Sequence, residues 1–554
     1  MELPGRRAPR LLLELDLTRR VLEVAPSTPV EMLAARQATV LRHVVDALAK
    51  AARDDRVAGL IAHIGTGQPT LAQSTELRDA VAAFGEEGRA TVCWSESYGP
   101  ELGPGNVGYH LATAFREIWI QPSGTLGFVG VTASALFVRD ALDKLGIEPQ
   151  ISKRREYKTA ADTFVERGMT EANREMLTAI AGSATSVVLR DVAAARNMEE
   201  QAVRDAVDAA PLSAAEALRR GLVDRIGYRD EAYADVRRRL GDVRLRYLER
   251  YGRTRHRRGA AALLRRHKPV IGVVQAAGAI HPGRSRRTPL VGRSVGSETI
   301  GATLRTAATD ERVKAVVLRV DSPGGSYVAS DAIRREVHVL RQAGKPVVAS
   351  MASVAASGGY FISMPADVVV AAPVTLTGSI GVLAGKQVVR DALQRVGVRR
   401  DSVSAARHAE MFSSWQRFDD EEWQRLESWL DRVYDDFTAK AADDRGMPLE
   451  QLRDVARGRV WTGVDALRVG LVDELGGLEV AIDRACDRAG LARDRVEVRA
   501  LPRVGPLARL VRPANSESPA AASAEAGPLL QQALVAAGLP PYGVLTMPMT
   551  VTLR

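Results

Sequence analysis

The chain carries one pattern twice, and this repeat constrains its fold more than any other feature. The string VRDAL occurs at Val138–Leu142 and again at Val389–Leu393. Tyr109, Gly127, Gly130 and Gly146 stand at one common offset from Tyr360, Gly378, Gly381 and Gly397. Upstream, DDRV at Asp54–Val57 matches DERV at Asp310–Val313, and Gly88 matches Gly344. Downstream, ALRRGLVD ending at Asp224 matches ALRVGLVD ending at Asp473. A repeat of this length predicts two similar domains on one chain. The expected division is a first domain over 1–248, an arginine-rich linker over 249–268, a second domain over 269–500, and a linker and tail over 501–554.

The copies differ where chemistry would sit. The second has Asp321-Ser-Pro-Gly-Gly325 and Ala355-Ala-Ser-Gly-Gly-Tyr360; the first has Gly65-Thr-Gly-Gln-Pro69 and Gly105-Asn-Val-Gly-Tyr109 in those places. Ser357 therefore stands against Asn106, a poor nucleophile. Conversely, the first copy has Glu156-Tyr-Lys-Thr-Ala160, and the second has Arg407-His-Ala-Glu410 in that region, without a lysine. One copy keeps a serine and the other a lysine, which predicts one composite site built from both.

Each copy alternates short apolar runs with helical periodicity. Strands are expected at Arg10–Leu17, Val57–Ile64, Thr91–Trp94 and Glu117–Ile120, then at Val313–Val320, Pro346–Ser350 and Val368–Ala372. Helices are expected at Gln73–Phe84 and Ser330–Gln342, with helical extensions over Thr170–Ala209 and Asp419–Val455. This alternation predicts an α/β fold with a parallel sheet in each copy.

Composition narrows the function classes. Two cysteines, Cys93 and Cys486, lie in opposite halves and offer neither a metal cage nor a disulfide framework. Eight histidines form no HExxH string, so no metal and no cofactor is expected. The net charge of +10 is concentrated at Arg250, Arg253, Arg255, Arg257, Arg258, Arg265, Arg266 and Lys268. That segment reads as a solvated linker, with peripheral contact to anionic lipid as the second reading. No nucleic-acid motif accompanies it. No run of about 18 apolar residues is readable, and Glu14 and Asp16 interrupt the apolar N-terminal stretch. The expected placement is cytoplasmic or peripheral to a membrane. Val511–Gly527 reads as a flexible linker, followed by an apolar, proline-containing tail.

Serine needs a base within hydrogen-bond reach to act as a nucleophile. Ser357 lies among small residues that let neighbouring backbone approach, and Gly325 and Gly358 are positioned to offer N–H groups to an oxyanion. Lys158 is the expected base, provided that burial lowers its pKa from about 10.4 towards 7–8. His408 falls near the matching position and is the rival base. Ser379, which stands against Phe128, is placed to orient the lysine amine.

These strings resemble the signal peptide peptidase A family, the S49 serine peptidases, in its long duplicated form. DSPGGS at 321–326, MASVAASGGYFIS at 351–363, TLTGSIG at 375–381 and EYKTAAD at 156–162 carry the resemblance, which covers about residues 10–500. It implies tandem ClpP/crotonase-like domains with helical extensions, Ser357 as nucleophile, Lys158 as general base and Ser379 as its support. It also implies homotetramers and endopeptidase action on apolar peptides, in particular remnant signal peptides. Two competing readings make distinct predictions. A crotonase-like acyl-CoA enzyme would bind CoA and tolerate Ser357→Ala, and an inactive scaffold would bind peptides without turnover.

Overall fold

Val313–Ser322, VKAVVLRVDS, shows how the sheet is built. Val316, Leu318 and Val320 face one apolar cluster, while Ala315 and Val317 face another containing Leu478 and Ile482. Alternate side chains point to opposite faces of a strand, so a nearly continuous apolar run requires cover on both. The computed structural model describes residues 9–26, 33, 38–67, 69–86, 88–99, 105–253, 268–288, 292–502, 525–526 and 545–546. The chain divides into two compact units, Met1–Thr132 with Ala181–Ala262 and Leu553–Arg554, and Ala133–Ile180 with Leu263–Thr552.

The first unit holds six parallel strands in the order Arg225–Ile226, Glu117–Ile120, Ala90–Ser95, Val57–Ile64, Arg10–Leu17 and Val243–Tyr247. Arg10–Leu17 is a strand, as its interrupted apolar pattern predicts. Its buried Glu14 accepts hydrogen bonds from Arg229 at 2.9 Å and Tyr233 at 2.7 Å.

The second unit's main sheet runs Val460–Thr462, Leu376–Gly378, Val347–Ala356, Val313–Ser322, Val270–Ala277 and Glu497–Leu501. Val368–Ala371 also pairs with Val347–Ala356. All these pairings are parallel except that of Leu376–Gly378 with Val460–Thr462. A smaller sheet includes Ala279–His281, Gly292–Gly296 and Gly324–Gly325. The helices Leu71–Glu86 and Tyr327–Gln342 begin slightly before the expected starts. The two helical extensions resolve into Glu171–Arg196 and Glu200–Asp208, and into Asp420–Arg445 and Leu449–Ala456.

The compact units do not follow the repeat. Residues 133–180 belong to the first copy by sequence but to the second unit in space. Within that unit, Glu148–Lys153 pairs antiparallel with Leu383–Val388, from Lys153 against Leu383 to Glu148 against Val388. The arginine-rich segment begins as a helix, Leu248–Arg253, with Tyr251 buried; residues 254–267 lie outside the described residues. So do 503–524 and 527–544, which hold nearly all of the expected flexible linker and much of the tail. Among the described residues one helix, Glu171–Arg196, has the length and apolar composition to cross a membrane, and half of its most apolar window is buried. Its alanine-rich sequence has no long unbroken apolar run, which is why the sequence reading passed over it.

Candidate active site

The strands Val313–Ser322 and Val347–Ala356 lie side by side, and each runs at its C-terminal end into a glycine pair. Ligands of open α/β sheets gather at such ends. After Ala356 the chain turns sharply at Ser357, whose φ of 55° lies in the left-handed region. A non-glycine residue held there costs of order 1–3 kcal/mol, so the surroundings must enforce it. They do so by hydrogen bonds from Ser357 N–H to Gly378 O at 2.8 Å and from Phe361 N–H to Ser357 O at 2.8 Å. The following glycines let the turn settle on the other loop. A Cβ on Gly358 would stand 3.1 Å from Gly325 N, so these two backbone amides are neighbours. Gly325 admits no side chain, because a Cβ there would lie 2.0 Å from Ile280 O.

Lys158 reaches this turn from within the same unit. Its Nζ lies 2.7 Å from Ser357 Oγ, 3.1 Å from Ser379 Oγ and 3.1 Å from Ser379 O. Lys158, Ser357 and Ser379 are each 0% exposed. Desolvation drives the lysine pKa well below its usual 10.5. All three oxygens around Nζ are uncharged, so this burial has no counter-charge from them to offset it. The burial was expected to arise between two domains; it arises inside one compact unit, because residues 133–180 pack there.

A turn that the sequence reading missed holds the lysine against Ser379. Arg457 O accepts the Tyr157 N–H at 3.2 Å, and Arg459 O accepts the Ser379 N–H at 2.7 Å. Between them Gly458, at φ +80°, lies so close to the lysine backbone that a Cβ would be 2.5 Å from Lys158 N. Repeat asymmetry marked this position too, since Gly458 stands against Ala209. Also unassigned from sequence was Asp162, fully buried one turn after the lysine. It pairs with Lys153 and accepts a hydrogen bond from Thr170 at 3.4 Å. Burial raises its pKa.

His408 does not enter this cluster. It lies 3.5 Å from Glu421 and 3.6 Å from Glu422. Together with Asp419 and Glu422 it forms the one grouping among the described residues whose ligand atoms lie close enough to hold a metal. Asp419 and Glu422 already serve there as a helix capping box.

Comparison with known proteins fits this geometry. The model of peptidase family S49 matches residues 104–243 and 339–492, one segment in each copy. The chain is 32% identical over 447 residues to "Serine protease SPPA, chloroplastic" of Arabidopsis thaliana, covering 80% of this chain and 64% of that protein's length. It is 32% identical over 473 residues to "Protease 4" of Salmonella typhi, covering 82% of this chain and 73% of that protein. Among solved structures a ClpP1 mutant from Listeria monocytogenes aligns with 38% of this chain and 94% of its own, at 15% identity and a TM-score of 0.25, which is too low to bear on the fold. A family model matched in both copies, and relatives aligned along four-fifths of the sequence, lead to one conclusion: the chain belongs to peptidase family S49, a family of serine peptidases.

Proposed function

We propose that the chain is a serine endopeptidase working through a Ser357–Lys158 dyad. The observation that carries this reading is the 2.7 Å approach of Lys158 Nζ to Ser357 Oγ at a site without exposure. A neutral amine has two N–H groups and one lone pair. The N–H groups satisfy Ser379 O and Ser379 Oγ, each 3.1 Å away, and the lone pair is left for the Ser357 hydroxyl.

In the first step the lone pair takes the hydroxyl proton as Oγ bonds to the scissile carbonyl carbon. The oxyanion formed is held by the N–H groups of Gly325 and Gly358; removing one such donor typically costs about 2.7–4 kcal/mol. Lys158, now an ammonium, returns the proton to the leaving amine as the C–N bond breaks. A water then loses a proton to the neutral Lys158 amine and attacks the acyl-enzyme, and the Lys158 ammonium returns that proton to Ser357 Oγ as the ester C–O bond breaks. Collapse then releases a carboxylic acid and restores the serine.

Substrates on this reading are apolar peptides, in particular remnant signal peptides. Each repeat is read as a ClpP/crotonase-like domain, with residues 133–180 of the first repeat packed in the second compact unit. Exposed Val396, Val398, Val403 and Phe412 supply an apolar surface for a homotetramer. The arginine-rich segment supplies peripheral contact with anionic membrane.

The test is hydrolysis of a fluorogenic apolar peptide by wild type, Ser357→Ala and Lys158→Ala, each checked for folding. Both variants should lose about 10³-fold or more in kcat. Full turnover in Ser357→Ala would reject the mechanism, and turnover surviving in Lys158→Ala would move the base elsewhere.

A further inference from the structure

Lys158 is carried on a loop, residues 154–161, that leaves the strand Glu148–Lys153 and ends at the short helix Asp162–Val165. Lys153 and Asp162, the residues at its two ends, form an ion pair. Lys153 stands opposite Leu383, and the Arg154 N–H donates to Val382 O at 2.8 Å, so the loop departs beside the chain that follows Ser379. Asp162 also accepts a hydrogen bond from Thr170 Oγ1 at 3.4 Å. Thr170 O in turn accepts the Arg174 N–H at 2.9 Å, at the start of the helix Glu171–Arg196. One carboxylate thus ties together the strand before the lysine, the turn after it and the helix beyond.

The matching stretch of the second copy has no such tie. The Val138 N–H donates to Thr163 O at 2.8 Å, and at the corresponding place the Val389 N–H donates to Ser414 O at 2.8 Å, so the repeat keeps its register in space here. On that register Lys158 stands against Ala409, Lys153 against Ser404 and Asp162 against Ser413. The copy that lacks the lysine lacks both members of the pair. Its Ser404 and Ala409 are exposed, and Ser413 Oγ accepts a hydrogen bond from Arg400 at 2.9 Å.

Asp162 is 0% exposed, and burial raises its pKa. Desolvation makes a buried ion pair a poor source of stability, and holding one arrangement is its better attested use. The carboxylate does not act on the lysine through its charge. Burial alone lowers the Lys158 pKa, and the charges that bear on Asp162 are those of Lys153 and Glu166. What remains for Asp162 to set is where the loop stands.

We propose that Asp162 is a positioning residue: paired with Lys153, it closes the base of the loop and fixes the place of the Lys158 amine against Ser357 and Ser379. The proposal rests on the dyad reading for what the amine does there.

The test uses the full chain with Asp162→Ala, Lys153→Met and both together, each checked for folding by circular dichroism. Two readouts are taken. One is kcat and KM on a fluorogenic apolar peptide. The other is the Lys158 pKa from NMR of ¹³C-labelled lysine in the Ser357→Ala background, which needs no turnover; the Lys158 signal is the one missing from Lys158→Ala. A catalytic group displaced by about 1 Å costs about 10²-fold, so Asp162→Ala should lower kcat by that order with KM little changed. The Lys158 pKa should climb towards its ordinary value as the loosened loop admits water. Lys153→Met should do the same to a smaller extent, because Thr170 still holds Asp162. The double variant should be no worse than Asp162→Ala, since the two residues act as a unit. A folded Asp162→Ala protein with wild-type kcat and an unmoved lysine pKa would overturn the proposal, as would losses that simply add in the double variant. If Asp162→Ala fails to fold, Lys153→Met decides by the same two readouts. A raised Lys158 pKa in a protein whose Lys158→Ala variant still turns over would uphold the positioning role and reject the dyad.

Discussion

The two units solve the same turn in opposite ways. In the second, Ser357 opens the helix Gly358–Ser363, and Lys158 fills the space beside Ser379 and Gly381. In the first, Asn106 stands at the serine's place and closes the turn with its own side chain. Its Oδ1 accepts the N–H groups of Val129 and Gly130, each at 3.0 Å, and its Nδ2 donates to Gly130 O at 2.7 Å. Phe128, matching Ser379, packs against Tyr109 with ring centroids 5.4 Å apart. Residues shared by the copies keep one task in both. Tyr109 donates to Leu222 O at 2.7 Å, and Tyr360 to Leu471 O at 3.1 Å. Asp224 accepts the Ile118 N–H at 2.8 Å, and Asp473 the Val369 N–H at 2.7 Å. Agreement between copies marks the scaffold, and disagreement marks the residues on which the proposed dyad rests.

The sharpest way to break this contrast is to give the second unit a residue of the first. Gly458→Ala places alanine where the first copy has Ala209, and its Cβ would collide with the Lys158 backbone. A displacement near 1 Å at a catalytic group costs about 10²-fold. We expect kcat to fall by about that much with KM little changed. Activity should also rise with pH through the lowered lysine pKa, and in Gly458→Ala this acid limb should move up as the amine regains water. A purely structural role would lower stability and leave the limb in place.

Ser379→Ala should have a smaller effect. It removes one acceptor from Nζ but leaves Ser379 O at 3.1 Å. The loss of one buried hydrogen bond costs about 1–3 kcal/mol, which predicts roughly a 10- to 100-fold lower kcat. Wild-type rates and an unmoved pH profile would remove Ser379 from the site.

Much of the scaffold was legible because parallel strands buried on both faces leave short apolar runs between turn residues. Val57–Ile64 and Glu117–Ile120 match their expected limits. The proximity of Lys158 to Ser357 was legible for another reason: each copy lacks what the other retains. What could not be read depends on contacts far apart in sequence. Nothing local in Glu148–Lys153 announces Leu383–Val388 as its partner, so the packing of residues 133–180 with the second unit stayed hidden. The Arg457–Arg459 turn is polar and short, and Arg457 adopts φ 49° without being glycine. Its role arises from the backbones of Tyr157 and Ser379, which only the folded chain brings to it.

Asn106→Ala tests the contrast from the other side. Two N–H groups and one carbonyl lose their partner in a turn where Val129 is exposed and Gly130 half-buried, so water replaces part of what is lost and about 0.5–1.5 kcal/mol of stability should go. Urea unfolding should show it, with kcat per folded molecule unchanged. A drop in kcat at full folding would mean that the first unit's turn is more than scaffold.

The smallest effect concerns the cost of keeping a neutral amine in the core. In the unfolded chain Lys158 holds its proton up to about pH 10.4. In the folded chain burial lowers its pKa, so the unfolded state binds more protons between the two values. Stability therefore rises with pH across that window and levels off above it. Lys158→Met keeps the length and removes the titration. We expect a higher Tm than wild type near pH 8, shrinking towards pH 10.5, with activity abolished throughout. Asn106, which satisfies its turn without a buried charge to neutralise, should yield no such pH-dependent gain when replaced by a residue that does not titrate. A Lys158→Met protein less stable than wild type at pH 8 would mean that the contacts of Nζ with Ser379 outweigh the desolvation of the amine.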